Sequence, residues 1–312
     1  MINMKRNIII DCDPGHDDAI EILLALKDDD ANLLGITTVA GNQTVDKTTL
    51  DALKILSLAG EKNIDVAMGC PSPIIEKLST APDIHGVSGL DGANLPEPIR
   101  ERDSRHAVDY IRDKLTEFKT ATIVTTGPLT NIALLLTLYP EIKGNIDRIV
   151  WMGGSYSMGN ITPDAEFNAY NDPEALKIVL DSNMDFTMIT LDVTHKTLFF
   201  KEDIKKIEKL GTSVGKTVAD LLNFFYKTYE DNFKLGGVPI HDACALVEAL
   251  HPGFIKTQLL NVDVQISPGP SRGRTTVDFY SVTGKEKNTY VSTDIDVKKF
   301  KNYIFDTLGK YK

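Results

Sequence analysis

Asn7-Ile8-Ile9-Ile10-Asp11-Cys12-Asp13-Pro14-Gly15-His16-Asp17-Asp18-Ala19 is the stretch on which the reading of the fold turns. A short apolar run rich in β-branched residues ends in acids, Pro14 and Gly15 turn the chain, and a helical pattern opens with Asp17 and Asp18. This is a strand entering a helix. The same rhythm recurs downstream. Runs from Leu33 to Ala40, Asp65 to Met68, Thr122 to Thr126, Arg148 to Met152 and Asp185 to Leu191 read as strands. Between them, Ala19 to Lys27, Thr44 to Ala59, Ser104 to Lys119, Leu129 to Tyr139 and Pro173 to Asp181 keep apolar residues three and four apart. The pattern predicts an α/β fold: a mostly parallel central sheet with helices on both faces, a Rossmann-like open sheet whose active site lies at the C-terminal ends of the strands.

Local signals sharpen some boundaries. Ser104 is placed to cap a helix whose stripe is Val108, Ile111, Leu115 and Phe118. Asp172-Pro173-Glu174 gives another start, with a capping acid and a Pro at the first helical position. Beyond Leu191 the rhythm changes. A long helix over about Val214 to Asn232 precedes a Gly-Gly-Val-Pro loop, and a short helix begins at Asp242. Extended segments follow near Leu259 to Ser267, Arg274 to Val282 and Thr289 to Thr293, and a last helix starts at Val297. With no linker or internal repeat, residues 1–312 read as a single domain. The Pro- and Gly-rich stretch from Gly69 to Pro98 is long for a compact domain, which marks it as functional.

Composition narrows the partners. The chain has 34 basic and 44 acidic residues, a formal charge of −10, and no Lys/Arg run, so neither nucleic acid nor an acidic membrane surface is an expected partner. Its hydrophobic content of 42% is enough for a folded core. No apolar stretch reaches membrane-spanning length and the N-terminus lacks a secretory pattern, which points to a cytoplasmic protein. Cys12, Cys70 and Cys244 are odd in number and lack metal-type spacing; they read as reduced thiols.

The acids at the first corner carry the chemistry. Asp11 and Asp13 lie two apart on a strand and share a face, while Asp17 and Asp18 open the helix. Carboxylates so crowded repel one another unless a cation or raised pKa values offset the charge. Oxygen donors without Cys or His pairs suit Ca²⁺ or Mg²⁺ rather than zinc, and the spacing is not that of an EF-hand. Other strand ends offer polar groups to the same crevice: Val39-Ala40-Gly41-Asn42, Thr125-Thr126-Gly127-Pro128-Leu129-Thr130-Asn131 and Trp151-Met152-Gly153-Gly154. Asn160, Glu166 and Asn168 follow, then His241-Asp242, which sets a proton-transfer group beside another cation ligand. Gly211 to Thr217 is one residue short of a phosphate loop and reads as a helix start.

These residues resemble the calcium-dependent nucleoside hydrolases of the inosine-uridine-preferring type. DCDPGHDDA, TTVAGNQT, IHGVSGLDG, TTGPLTNIA, VWMGGSYSMGN, AEFNAYNDPEA, LDVTH and IHDACA fall in the family's order, from about residue 8 to about residue 250. The resemblance implies hydrolysis of the N-glycosidic bond of a ribonucleoside, uridine or cytidine and also inosine, to ribose and free base. It implies a Ca²⁺ ion held by Asp13, Asp18, Asp242 and the Thr126 carbonyl, with Asp13 as general base and Asp11 supporting the site from behind. Asp17 and Asn42 would hold ribose hydroxyls; Asn160, Glu166 and Asn168 would bind the other end of the sugar, and Met152 would pack near the ring. His241 would protonate the leaving base, with His85 in the loop beside it. Tyr226 and Tyr229 on the long helix are placed either to reach the base, Tyr229 being taken as the substrate-binding residue, or to serve the core or surface. A homotetramer and a role in nucleoside salvage are implied as well. His16, His106, His195 and His251 read as structural or surface residues. The competing readings are a Mg²⁺ phosphatase using the Asp11/Asp13 pair, and a nucleoside-binding protein without turnover.

Overall fold

The computed structural model describes residues 5–312; the first four residues of the expected domain lie outside it. The chain runs β1 (Arg6–Cys12), α1 (His16–Lys27), β2 (Ala31–Thr38), α2 (Val45–Leu58) and β3 (Val66–Met68), then α3 (Pro82–His85), α4 (Ala107–Phe118), β4 (Ala121–Thr125), α5 (Thr130–Leu138) and β5 (Ile146–Met152). Next come α6 (Phe167–Asn171), α7 (Pro173–Leu180), β6 (Phe186–Ile189), α8 (Leu191–Thr194), β7 (Leu198–Phe199), α9 (Lys201–Glu208) and α10 (Ser213–Phe233). β8 (Val238–Pro239), α11 (Asp242–Leu250), β9 (Ile255–Val264), β10 (Thr275–Asp278), β11 (Thr289–Ile295) and α12 (Val297–Leu308) complete it.

Nine strands form one sheet in the order β10-β9-β11-β6-β5-β4-β1-β2-β3. β1 pairs in parallel with β2 and β4, and parallel pairing continues through β5 and β6 to β11; β9 and β10 add an antiparallel margin. The first six strands therefore take the order 3-2-1-4-5-6, whose direction of winding reverses between β1 and β4. That reversal opens a crevice at the strands' carboxyl ends.

The β1 isoleucines are buried because the sheet is covered on both sides. Successive side chains on a strand point to opposite faces: Ile8 and Ile10 join one core with α1, α10, α11 and α12, whereas Ile9 joins the other with α4, α5 and α7. Gly35 in β2 leaves room for Tyr110, whose hydroxyl donates to the Leu34 carbonyl; a Cβ at position 35 would collide with that hydroxyl.

Several boundaries differ from the sequence reading, among them β9, which runs Ile255–Val264 rather than from Leu259 to Ser267, and β10, which is confined to Thr275–Asp278. α1 begins at His16, so Asp17 and Asp18 both sit in its first turn. α4 begins at Ala107, and His106 rather than Ser104 accepts the Val108 N–H; Phe118, at the helix end, is 37% exposed rather than part of the buried stripe. The stretch over 69–98 contains one short helix, α3. The three cysteines are free and buried, and Gly211–Thr217 leads into α10 with Thr212 capping Gly215. Among the described residues, no helix is long and apolar enough to cross a membrane.

Candidate active site

The corner between β1 and α1 gathers buried acids. Asp11 Oδ1 accepts from Thr37 Oγ1 at 2.5 Å and from Asn131 Nδ2 at 2.8 Å. Asp13 Oδ2 accepts the Asn42 backbone N–H at 2.6 Å, whereas Asp13 Oδ1 is sealed from solvent with no partner among the described residues. Gly41 is required beside it, because a Cβ there would run into the Asp13 carboxylate. Asp18 accepts from the Gly15 N–H at 2.8 Å and from Thr126 Oγ1 at 3.0 Å. Asp17, Asp18 and Asp242 each bring a carboxylate oxygen within 4.8 Å of the others. Asp242 comes from the far end of the chain, and the adjacent His241 N–H donates to Asp17 Oδ2 at 3.3 Å.

Burial pushes the carboxyls of Asp13, Asp17, Asp18 and Asp242 above their ordinary range, Asp17 to about 7. Neighbouring carboxylates add to the shift of Asp13, Asp17 and Asp242. A cluster of this kind stores repulsion that a divalent cation relieves. The all-oxygen donor set and the orphaned Asp13 oxygen fit such an ion.

Glu21 lies directly behind these acids, and nothing in its position within an apolar helix singles it out. Thr126 Oγ1 is 3.0 Å from Asp18 and 3.1 Å from Glu21 Oε2. A hydroxyl has one proton, so both contacts are made together when one of the two carboxyls, Asp18 or Glu21, is protonated and donates. Burial pushes both carboxyls above their ordinary values, Glu21 with the added repulsion of Asp18 and Asp17.

The ends of β4 and β5 are joined through Asn168, whose Nδ2 donates to the Thr126 carbonyl at 2.8 Å and the Met152 carbonyl at 3.1 Å. Glu166 is largely committed to backbone: it accepts from the N–H groups of Gly154, Asn168 and Ala169 and caps α6. Burial nevertheless raises it to about 7. Asn160 Oδ1 accepts the Phe167 N–H at 2.8 Å.

Across the cleft, His241 is held between two hydroxyls: Thr194 Oγ1 is 2.7 Å from Nδ1 and Tyr229 OH is 2.7 Å from Nε2. Each hydroxyl can donate or accept, so the imidazole can carry its proton on either nitrogen. Burial holds His241 and His85 well below the ordinary histidine value and pushes the Tyr229 phenol up. His16, read from sequence as structural or surface, is fully buried beneath His85, with ring centroids 5.3 Å apart, and burial lowers it to about 4.

One cleft collects most of the expected residues. Asp17, Asn42, His85, Thr126, Met152, Asn160, Glu166, Asn168, Tyr229, His241 and Asp242 line it, together with Phe167, Phe225 and Phe233. Asp11, Asp13 and Asp18 are buried behind that lining. Tyr226 is not part of the lining; its hydroxyl donates to the Gly236 carbonyl. Glu21 and Thr194 are the participants that sequence reasoning missed, and Asn131 figured in it only as one polar group of the β4 corner. Thr194 and Asn131 lie inside LDVTH and TTGPLTNIA, but only pairing across strands shows what they touch.

The fold and cleft define a class: an open α/β protein with a carboxylate cluster beneath a polar, aromatic-walled pocket at its switch point. Comparison with known proteins narrows this. The family model described as inosine-uridine preferring nucleoside hydrolase matches residues 8–302. A pyrimidine-specific ribonucleoside hydrolase, RihA, of Shewanella sp. (strain MR-4) is 44% identical over 310 residues, covering 99% of this chain and 98% of the relative. The corresponding RihB of Escherichia coli (strain K12 / DH10B) is 42% identical over 308 residues, covering 98% of each. The solved purine-preferring ribonucleoside hydrolase from Gardnerella vaginalis superposes with a TM-score of 0.91 at 34% identity, covering 97% of this chain and 98% of that one. The chain belongs to the inosine-uridine-preferring nucleoside hydrolase family and is a ribonucleoside hydrolase, an enzyme that cleaves N-glycosidic bonds.

Proposed function

We propose that the cleft hydrolyses pyrimidine ribonucleosides, uridine and cytidine foremost, with inosine as a further substrate, and that Asp13, Asp18, Asp242 and the Thr126 carbonyl hold a Ca²⁺ ion. The observation that carries the reading is the sealed, unpartnered Asp13 Oδ1 within a group of buried carboxylates. A divalent cation held by these residues would supply positive charge that favours bound ribose hydroxyls and makes a water easier to deprotonate.

The remaining roles belong to the chain. Asp13 Oδ1, free of other partners, takes the proton of the attacking water. Asp11, fixed by Thr37 and Asn131, holds the carboxyl end of β1 in place from behind. Asp17 and the Asn42 side chain bind ribose hydroxyls near the carboxylate cluster, and Asn160 and Asn168 bind the other end of the sugar. Glu166 shapes that end by fixing the α6 turn, and its remaining lone pairs complete the pocket. Bond cleavage builds positive charge on the ribose, which the surrounding carboxylates stabilise, while Met152 packs against the ring. His241 gives the leaving base its proton, and Tyr229 and His85 face the base from the aromatic side. The pyrimidine preference is supported by the specificity printed for the two bacterial relatives. Cytoplasmic location, homotetrameric assembly and a place in nucleoside salvage belong to the same proposal, on the family resemblance.

The phosphatase reading finds no phosphate cradle in the sequence and leaves the His241 hydroxyl pair without a task. A panel of uridine, cytidine, inosine and adenosine, scored by release of reducing sugar with and without a calcium chelator, tests the proposal. Uridine turnover that the chelator abolishes and Ca²⁺ restores is expected; turnover unaffected by exhaustive chelation refutes the cation's part in it.

A further inference from the structure

The Pro- and Gly-rich stretch ahead of α3 is held as a strap, and one residue on it faces the cleft with nothing to bind. Asp172 Oδ2 accepts the Ile74 N–H at 3.0 Å. Asn171, buried at the end of α6, accepts the Ser79 N–H on Oδ1 at 3.0 Å, while its Nδ2 donates to the Phe167 carbonyl at 3.3 Å. Those two contacts fix the orientation of the amide, because an N–H needs the oxygen and a carbonyl needs the nitrogen. Two residues further on, the Ala81 N–H donates to the Asn42 carbonyl at 3.0 Å. Between these two anchors lies Thr80. It lines the cleft, half-buried, and neither its hydroxyl nor its N–H has a partner among the described residues. The other hydroxyls of the lining, on Thr126 and Tyr229, are already engaged with Asp18 and His241. A polar lining group that the fold leaves unpaired is free to meet a ligand.

We propose that Thr80 is a substrate-binding residue whose hydroxyl bonds the ribose rather than the base, and that Asn171 is the positioning residue that keeps it there by holding the strap. The anchors give the reason for the sugar. One is Asn42 itself, and the other closes α6, the helix that carries Asn168. The aromatic wall of Phe225, Tyr229 and Phe233 comes instead from α10. The inference rests on the nucleoside reading for the identity of the ligand; the hold of Asn171 on the strap does not.

Thr80→Val keeps the β-branched shape and removes the hydroxyl. A contact made equally in the ground and transition states changes KM alone, so KM should rise about fivefold, as for one neutral hydrogen bond, with kcat unchanged. A bond to the sugar is indifferent to the base, so the factor should be the same for uridine, cytidine and inosine, and Thr80→Ser should restore KM for all three. Asn171→Ala should raise KM in the same way, and hydrogen exchange of the holoenzyme should show residues 79–85 exchanging faster. Asn171→Asp keeps an acceptor for the Ser79 N–H and should reverse both effects. An unchanged KM in Thr80→Val, or a rise that differs several-fold between bases, overturns the sugar contact; exchange unaltered by Asn171→Ala overturns the hold on the strap. A wild-type enzyme that cleaves none of the three nucleosides, with exchange responding as expected, would sink the nucleoside reading and leave the Asn171 anchor standing.

Discussion

Thr194→Val is the sharpest probe of the proton-donor side of the cleft. The substitution keeps the β-branched shape and removes Oγ1, which is 2.7 Å from His241 Nδ1. Nothing else in the local fold depends on that hydroxyl. The Thr194 backbone N–H donates to the Thr190 carbonyl, and its own carbonyl accepts from Thr197 Oγ1 at 2.8 Å. The loss leaves a fully buried imidazole nitrogen without a partner and frees the ring to turn on its Tyr229 contact. A buried hydrogen bond of this kind is worth ~1–3 kcal/mol. If its contribution is felt chiefly when His241 gives up its proton, kcat on uridine should fall roughly 5- to 150-fold. A riboside with an activated leaving group, such as p-nitrophenyl riboside, needs no proton from the enzyme and should be cleaved at close to the wild-type rate. Steady-state kinetics on both substrates, with a melting curve to confirm folding, decide the matter. Uridine turnover within about twofold of wild type, or equal losses on the two substrates, would refute the assignment of His241 as the acid held by Thr194.

Gly41→Ala should leave a folded protein with little turnover, because the new Cβ displaces the Asp13 carboxylate; wild-type kinetics in a folded variant would contradict this. Asp13→Ala should abolish uridine turnover and weaken the stabilisation by Ca²⁺ seen in thermal melts; undiminished stabilisation would remove Asp13 from the cation site. Asp51 supplies a pH test at a residue that is not one of the proposed cation ligands. Burial raises its carboxyl from 3.8 to about 8, and one of its oxygens is sealed without a partner. Between those values the folded state binds more protons than the unfolded one, so stability falls as pH rises. The penalty is absent below about pH 4 and fully felt above about pH 8. Asp51→Asn should therefore lose less stability than the wild type between pH 5 and pH 8, the other buried carboxyls contributing equally to both; parallel losses would exclude Asp51 as a contributor.

The sequence was most informative where chain-local rules decide structure. A β-branched run closing in DCDPG specifies strand, turn and helix start within one window, and the carboxyl-edge crevice follows from parallel connection. The carboxylates, His241 and much of the pocket lining were visible for that reason. Glu21 looked like one polar residue on an amphipathic helix, because its meaning depends on Thr126, 105 residues away. Thr194 and His241 are likewise 47 residues apart, and Asn131 reaches Asp11 across 120. The α4 start was misplaced because two residues, Ser104 and His106, can each cap and only the backbone path chooses. A lone histidine reads as a structural or a surface residue, and sequence does not choose between the two for His16; aromatic rings from α10 and His85 of α3 enclose it.

His241 donates its amide to Asp17 across a separation of 224 residues, and Asp242 joins Asp17 and Asp18 from the same distant segment. During synthesis the amino-terminal strands and their acids thus emerge long before the piece that finishes the pocket. A growing polypeptide that has cleared the ribosome by roughly two hundred residues can collapse around its early strands, yet it lacks the His241–Asp242 segment that closes the carboxylate group. The enzyme is switched on by its own completion, and any carboxyl-terminal truncation that removes α11 yields an inert product however well the rest condenses.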